Sequence, residues 1–184
     1  MRQLNNIRNN PLFTSFGIVL LRWHQRKNTR QMPWKGIKDP YKIWLSEVIL
    51  QQTKVEQGEK YYNLFIHKYP LLKDLANANE EEVFRLWQGL GYYNRCRNLL
   101  QTAKQIMQDF DGQFPNKYLT ILSLKGIGEY TAAAISSFAF NLPHAVVDGN
   151  VVRVLSRVFL LEENFHSSNG KKLFHQLAQQ LLVI

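Results

Sequence analysis

The chain has 184 residues, of which 45% are hydrophobic and 20% charged, and these proportions exclude a disordered protein and are typical of a soluble globular one. The 23 Lys and Arg residues against 14 Asp and Glu give a net charge of +9, which favours a polyanionic partner such as nucleic acid or an anionic membrane surface. One cysteine excludes an internal disulfide framework, and no apolar run reaches the ~18 residues of a membrane span, so a reducing, cytoplasmic location is expected.

Hydrophobic residues recur at the helical period along nearly the whole chain, and no strand pattern of period two stands out. After a polar arm at residues 1–14, the apolar positions between Phe16 and Trp23 predict a first helix, and a loop then extends to Pro40. Asp39 is predicted to cap the helix that follows, and Asn79 a later one. The pattern predicts an all-α protein.

The stretch "WLSEVILQQT", residues 44–53, places one carboxylate, Glu47, among apolar neighbours. At about 100° per residue, Glu47 lies between Ile43 and Leu50 on one side and Trp44 and Gln51 on the other. Desolvation there is expected to raise the pKa of the carboxyl, as in an acid that donates a proton near neutral pH. A structural Glu paired with Arg would instead have a lowered pKa, and the pattern favours neither hypothesis.

Two glycine-containing turns are candidates for contact with nucleic acid. In "LSLKGIGEYTAAA", the turn Lys125–Gly128 precedes a helix, whose N-terminal N–H groups can hold a phosphate with the Lys125 charge nearby. In "WQGLGYYNRCRNLL", aromatic residues lie beside Arg95 and Arg97, as on a surface that enters a groove and unstacks bases. A plain helix–helix corner fits the first stretch equally well. Taken alone, the second stretch is better explained as a helix break with buried aromatics and a solvated basic face.

A second acid, Asp148, lies in "AVVDGNVVRVL", just before a predicted helix. An Asp in this position is an ordinary N-cap, and a turn through Gly149 and Asn150 fits the same residues. The local sequence therefore favours a structural role for Asp148.

Four segments together resemble one family: "MPWKGIKDPYKIWLSEVILQQTKV", "LWQGLGYYNRCRNL", "LKGIGEYTAAAI" and "VVDGNVVRVLSRVF". In this order they are similar to the signature segments of the MutY-type adenine-DNA glycosylases, which belong to the helix–hairpin–helix superfamily with endonuclease III. The resemblance extends over about residues 15–184. It implies a DNA-repair enzyme that hydrolyses the N-glycosidic bond of adenine mispaired with 8-oxoguanine or guanine in double-stranded DNA.

The resemblance also implies roles for single residues. Glu47 matches the catalytic glutamate that protonates adenine and handles the attacking water, and Asp148 matches the aspartate that stabilises the sugar cation. Tyr130 and Asn150 match residues that support this intermediate. Because strand-cleaving relatives carry a Schiff-base lysine where this chain has Tyr130, the resemblance implies a monofunctional enzyme.

Further positions match the family's adenine pocket and DNA contacts. The pocket positions are Trp34, Lys35 and Leu50. The DNA-contact positions, with Gln52 and Tyr92 at the wedge that enters the duplex, are Gln51, Gln52, Thr53, Leu90, Gly91, Tyr92, Arg95, Lys125, Gly126, Ile127 and Gly128. The hairpin Lys125–Gly128 resembles a phosphate clamp that often binds a monovalent cation.

The family typically carries four cysteines that hold a 4Fe-4S cluster, followed by a domain that reads 8-oxoguanine. Cys96 alone cannot hold a cluster, so no metal site is expected in this chain, and the cluster ligands are expected beyond residue 184. The apolar helical pattern that reaches Ile184 without a cap is expected to mark a C-terminal truncation.

The resemblance implies two helical lobes. We expect a central bundle at residues 31–140, with the helix–hairpin–helix at about 116–140, and an incomplete second lobe formed by residues 15–30 and 141–184. Glu47 and Asp148 are expected in a DNA-binding cleft between the lobes. We expect a monomer without membrane attachment. Three alternatives to an adenine-DNA glycosylase stay open: a related mismatch glycosylase, for example one that removes thymine from T·G, a non-catalytic helix–hairpin–helix DNA-binding fragment, and a basic helical scaffold.

Overall fold

The computed structural model describes residues 7–8 and 10–182, and all regular secondary structure in these ranges is helical. The prediction of an all-α protein is confirmed. Half of the expected polar arm, residues 1–6 and 9, lies outside the described residues, but residues 7–8 are helical and residues 11–14 belong to the helix Pro11–Lys27, contrary to expectation. That helix begins early because Asn10 accepts a hydrogen bond from the Leu12 N–H and Pro11 occupies the first helical position.

The helices are joined by short loops. In chain order they are α1 (Pro11–Lys27), α2 (Pro40–Leu50), α3 (Val55–Lys68), α4 (Leu72–Ala76), α5 (Glu80–Trp87), α6 (Tyr93–Asp109), α7 (Tyr118–Leu122), α8 (Glu129–Phe140), α9 (Gly149–Phe159) and α10 (Ser168–Gln180). The chain divides into two compact units, one of which is Gln31–Leu142. The other unit combines the chain up to Arg30 with the chain from Pro143 onward.

Helix α2 lies at the centre of the unit Gln31–Leu142. Its start is fixed as predicted, since the Asp39 carboxylate accepts hydrogen bonds from the N–H groups of Tyr41 at 2.9 Å and Lys42 at 3.3 Å. Trp44, Leu45 and Ile49 are almost completely buried, and α2 packs against α3, α6 and α8. Glu47 is therefore carried by a helix whose position the core determines.

The other unit has a separate core. Phe174 and Leu177 of α10 are fully buried there, with Leu155 of α9 close to fully buried. Helix α1 buries none of its residues and meets this core through two rings. Phe13 packs edge-on and Phe16 at a tilt against Phe159, with 6.5 and 5.7 Å between ring centroids.

None of the helices in the described ranges is both long and apolar enough to cross a membrane.

Candidate functional site

Glu47 lies in the last turns of α2 and is half-buried. Its neighbours along the chain, Ser46 and Val48, are buried, as are Ile43 and Trp44 one turn earlier. Glu47 is therefore less buried than its neighbours in α2. The raised pKa of this carboxyl stays a prediction.

The predicted pocket residues Trp34 and Lys35 lie in the loop before α2. The Lys35 N–H closes a turn on the Met32 carbonyl at 3.0 Å. The half-buried Trp34 ring packs edge-on against Tyr62, with 5.2 Å between centroids. Burial, aided by the Asp39 charge, raises the pKa of Tyr62 to about 12, so this hydroxyl stays protonated at neutral pH.

Asp148 is the N-cap of α9, as the local sequence predicted. Its Oδ1 accepts a hydrogen bond from the Val151 N–H at 2.8 Å, and its Oδ2 accepts one from Asn150 Nδ2 at 2.8 Å. Arg153 in turn donates to Asn150 Oδ1 at 2.8 Å. Because both of its oxygens have donors, the half-buried carboxylate has a fixed orientation.

The predicted hairpin is present between α7 and α8. It is tied to α6 by the Thr102 hydroxyl, which donates to the Lys125 carbonyl at 2.7 Å. Gly126 has a positive φ of 74°, and Lys125, Gly126 and Gly128 are exposed. The Ile127 side chain is only 6% exposed and packs into the core, so this residue can offer only its backbone to a ligand.

A surface pocket of about 690 Å³ lies where the turn after α2 meets the loop before α6. Among the residues that line it are the predicted wedge residues Gln52 and Tyr92, together with Gln51. Gln52 and Tyr92 have left-handed φ values of 56° and 48°. Such a conformation costs a non-glycine residue about 1–2 kcal/mol, so the surrounding contacts must hold it. Tyr92 is 63% exposed.

Two predicted DNA contacts are turned inward. Leu90 is 6% exposed and belongs to the core, because the loop folds its apolar side chain under α5 and α6. Arg95 is half-buried, and its guanidinium donates to the carbonyls of Val48 and Ile49 at the end of α2, to that of Gln51 in the turn that follows, and to that of Leu90. Leu90 is therefore not directed at solvent as the sequence had suggested, whereas Arg95 is held by backbone carbonyls and still lines the surface pocket.

Other residues of this surface were missed at the level of sequence. Tyr93 and Asn94 also line the pocket. Tyr61 and Gln57 of α3 reach the loop after α5, where they donate to the carbonyls of Gln88 at 2.6 Å and Gly89 at 3.2 Å. Their spacing of four residues indicates a shared helix face, but it gives no information about what that face contacts.

The described residues do not fit a 4Fe-4S cluster, which takes cysteine thiolates as ligands. No group of three or more His, Cys, Asp or Glu side chains among them could hold a metal ion. Cys96 is fully buried in the core of the unit Gln31–Leu142, and burial raises the pKa of its thiol to about 12. The thiol is therefore a packing group.

Comparison with known proteins identifies the family. The model of the HhH-GPD superfamily of base excision DNA repair proteins matches residues 45–181, and the chain belongs to this superfamily. An adenine DNA glycosylase of Buchnera aphidicola subsp. Baizongia pistaciae is 44% identical over 146 residues, which are 79% of this chain and 42% of that protein. The adenine DNA glycosylase of Rattus norvegicus is 42% identical over 178 residues, 92% of this chain and 34% of that protein.

Solved structures agree with the fold. The structure of a thermostable thymine-DNA glycosylase superposes with a TM-score of 0.78 at 27% identity, covering 92% of this chain and 83% of that one. A trapped endonuclease III–DNA complex, at 20% identity and a TM-score of 0.72, covers 92% of this chain and 76% of that one and shares the fold. The predicted helix–hairpin–helix glycosylase fold is confirmed. The chain spans less than half the length of the two relatives named above.

Proposed function

We propose that this chain is the catalytic portion of an adenine-DNA glycosylase, which hydrolyses the N-glycosidic bond of adenine opposite 8-oxoguanine or guanine. The observation that carries the proposal is the 42–44% identity to adenine DNA glycosylases over most of the chain. The superfamily match at residues 45–181 includes both Glu47 and Asp148. We further propose that the chain acts as a monomer on chromosomal DNA inside the cell.

The reaction requires two carboxyl groups in different protonation states. In the proposed mechanism, Glu47 donates a proton to the adenine ring, which makes the base a better leaving group, and then accepts a proton from the attacking water. Asp148 stays ionised and stabilises the positive charge that develops on the sugar as the bond breaks. The half-buried setting of Glu47 and the hydrogen-bonded carboxylate of Asp148 support this division of roles.

Three other residues have roles in the proposed reaction. Asn150 holds one oxygen of Asp148, and Tyr130, in the first turn of α8, occupies the place of the lysine that forms a Schiff base in strand-cleaving relatives. We therefore expect base release without cleavage of the DNA backbone. Trp34, in the loop before α2, is proposed to contact the extruded adenine.

DNA contact is proposed at two places in the unit Gln31–Leu142. The hairpin Lys125–Gly128 offers exposed backbone at the N-terminus of α8, where the helix dipole favours a phosphate. The exposed Gln52 and Tyr92 are proposed to enter the duplex beside the mispair, since extrusion of a base costs a few kcal/mol that such contacts must offset. The net charge of +9 supports a polyanionic partner.

The test is a single-turnover assay of base release from duplexes that contain A·8-oxoguanine, A·G or T·G. Release of adenine from the first two duplexes is expected. Glu47→Gln is expected to abolish release while affinity for the mispaired duplex is largely kept, since general acid catalysis contributes about 10²–10⁴ in rate. Wild-type rates in this variant would refute the assignment of Glu47.

The second candidate function is removal of thymine from T·G, which the 27% identity to a thymine-DNA glycosylase favours. Release of thymine and not of adenine would support it. Binding of all three duplexes without release of any base would instead indicate a non-catalytic DNA-binding fragment.

A further inference from the structure

The backbone carbonyls of the loop after α5 have side-chain hydrogen-bond donors. Its four successive carbonyls, those of residues 88–91, each accept a hydrogen bond from a side chain of the same unit. The donors, in the order of these carbonyls, are Tyr61 at 2.6 Å, Gln57 at 3.2 Å, Arg95 at 3.2 Å and Trp87 at 2.9 Å. The acceptors of this loop are therefore all turned towards the protein.

Arg95 differs from the other three donors because it also holds the second segment of the pocket. Its Nη1 donates to the carbonyls of Val48 at 3.0 Å and Ile49 at 3.1 Å, and also to that of Gln51. The last carbonyls of a helix have no partner within the helix and carry partial negative charge, so a cation is favoured there. One guanidinium thus joins the end of α2 to the loop before α6.

The Arg95 side chain also supports Tyr92 directly. Its guanidinium carbon lies 5.3 Å from the Tyr92 ring centroid and 5.3 Å from that of Trp87, so the planar group lies between a buried ring and an exposed one. Attraction between a cation and the face of an aromatic ring favours this arrangement. The exposed Tyr92 ring therefore rests on a group fixed by backbone hydrogen bonds.

We propose that Arg95 is a positioning residue, which holds Gln52 and Tyr92 in their left-handed conformations so that both reach the DNA without rearrangement. The proposal rests on the DNA-binding function proposed above. Arg95 acts through these two residues and does not itself contact phosphate. A surface that is ordered before binding loses less conformational entropy when the duplex arrives, and this increases affinity.

The first experiment needs no DNA. Hydrogen exchange of the free 184-residue chain is compared for the wild type, Arg95→Met, Arg95→Lys and Arg97→Met. Arg97 is the matched control: it lies on the same helix, and its Nη1 contacts Asn94 Oδ1 at 2.8 Å rather than either turn. Faster exchange at residues 51–53 and 89–92 is expected in both Arg95 variants and not in Arg97→Met. Lysine is included because a single ammonium cannot reach both sets of carbonyls at once.

The second experiment measures affinity for an A·8-oxoguanine duplex at several salt concentrations, in the Glu47→Gln background to prevent turnover. Arg95→Met is expected to weaken binding about tenfold or more while the slope of log K against log salt is unchanged. A side chain that contacts phosphate would lower that slope by about 0.9. A lowered slope, or unchanged exchange in the Arg95 variants, would overturn the proposal.

The two proposals fail in different ways. If the wild-type chain releases no base, the proposed enzyme activity fails, whereas exchange and affinity still report on Arg95. If Arg95→Met does not fold, Tyr61→Phe removes the donor to the Gln88 carbonyl from the same loop and leaves the charge intact. Local acceleration of exchange at residues 88–92 in this variant is then expected, and its absence would count against ordering of the loop by its carbonyl contacts.

Discussion

The hairpin between α7 and α8 depends on Gly126 for two reasons that substitution can separate. Gly126 has a φ of +74°, and a Cβ added there would lie 2.7 Å from Asn98 Cβ and 2.9 Å from Asn98 Nδ2. Asn98 Cβ is fixed to the backbone of α6, so it cannot move without a shift of that helix. Gly126→Ala therefore combines an unfavourable backbone conformation with steric overlap.

The expected loss of stability can be worked out by comparison with another glycine of the same unit, at which only the backbone conformation is unfavourable for alanine. Gly36 has a φ of +79°, and a Cβ added there would meet no atom beyond its chain neighbours within 4 Å, so Gly36→Ala is expected to cost about 1–2 kcal/mol. Overpacking adds about 1–3 kcal/mol, which gives about 2–5 kcal/mol for Gly126→Ala. With a typical m of about 2 kcal/mol/M in urea, the midpoints should fall by about 0.5–1 M and about 1–2.5 M.

Urea unfolding followed by far-UV circular dichroism measures both variants. Asn98→Gly in the Gly126→Ala background removes the opposing Cβ, so the double variant should be less destabilised than the sum of the single ones. Equal midpoints for Gly36→Ala and Gly126→Ala would refute the steric part of this reasoning. A double variant whose loss of stability equals the sum of the losses in the two single variants would also refute it.

Three further predictions concern other parts of the chain. Burial raises the pKa of Tyr41, and it raises those of Tyr62 and Cys96 to about 12 from 10.0 and 9.0. Because the unfolded chain releases these protons first as pH rises, the free energy of unfolding should fall above about pH 9 by up to ~1.4 kcal/mol per pH unit and group. A free energy of unfolding that stays constant in urea titrations from pH 8 to 11 would contradict this. Asp148→Ala should lose about 1 kcal/mol of stability and Asp148→Asn much less, because Asn keeps the helix cap. Both variants should lower the rate of adenine release about 100-fold. A wild-type rate in Asp148→Asn would show that Asp148 serves only as the helix cap. Leu160, at the end of α9, is 86% exposed and has a φ of 52°. Leu160→Asn should therefore increase stability by about 0.5–1 kcal/mol, measured as a higher Tm. A lower Tm would show that the leucine side chain makes a stabilising contact.

The sequence was informative where local chemistry decides the structure. The caps at Asp39, Asn79 and Asp148 could be read directly, since each depends on one side chain and the N–H groups two or three residues later. The early start of α1 was readable too, because Asn10 and Pro11 are a cap and a first helical residue, but the polar composition around them suggested an arm. Composition is a weaker guide than capping chemistry at such a boundary.

The sequence was least informative where distant segments meet. Arg95 among aromatic residues has the pattern of a basic surface, and only the packing of α2 beside α6 shows that three of its partners are carbonyls more than 40 residues away. Leu90 and Ile127 likewise belong to turns, which are usually exposed, yet both side chains fill the core. The local sequence places these residues in turns, but tertiary contacts decide where their side chains point.

The full burial of Cys96 makes the chain well suited to single-site labelling. Maleimides attack the thiolate, and a buried thiol with a pKa of about 12 offers almost none at neutral pH. Since the chain has no other cysteine, one introduced at Gln52 or Tyr92 would be the only position that reacts in the folded protein. A fluorophore attached there would report on one of the two turns as a duplex arrives, without removal of any native residue from the core.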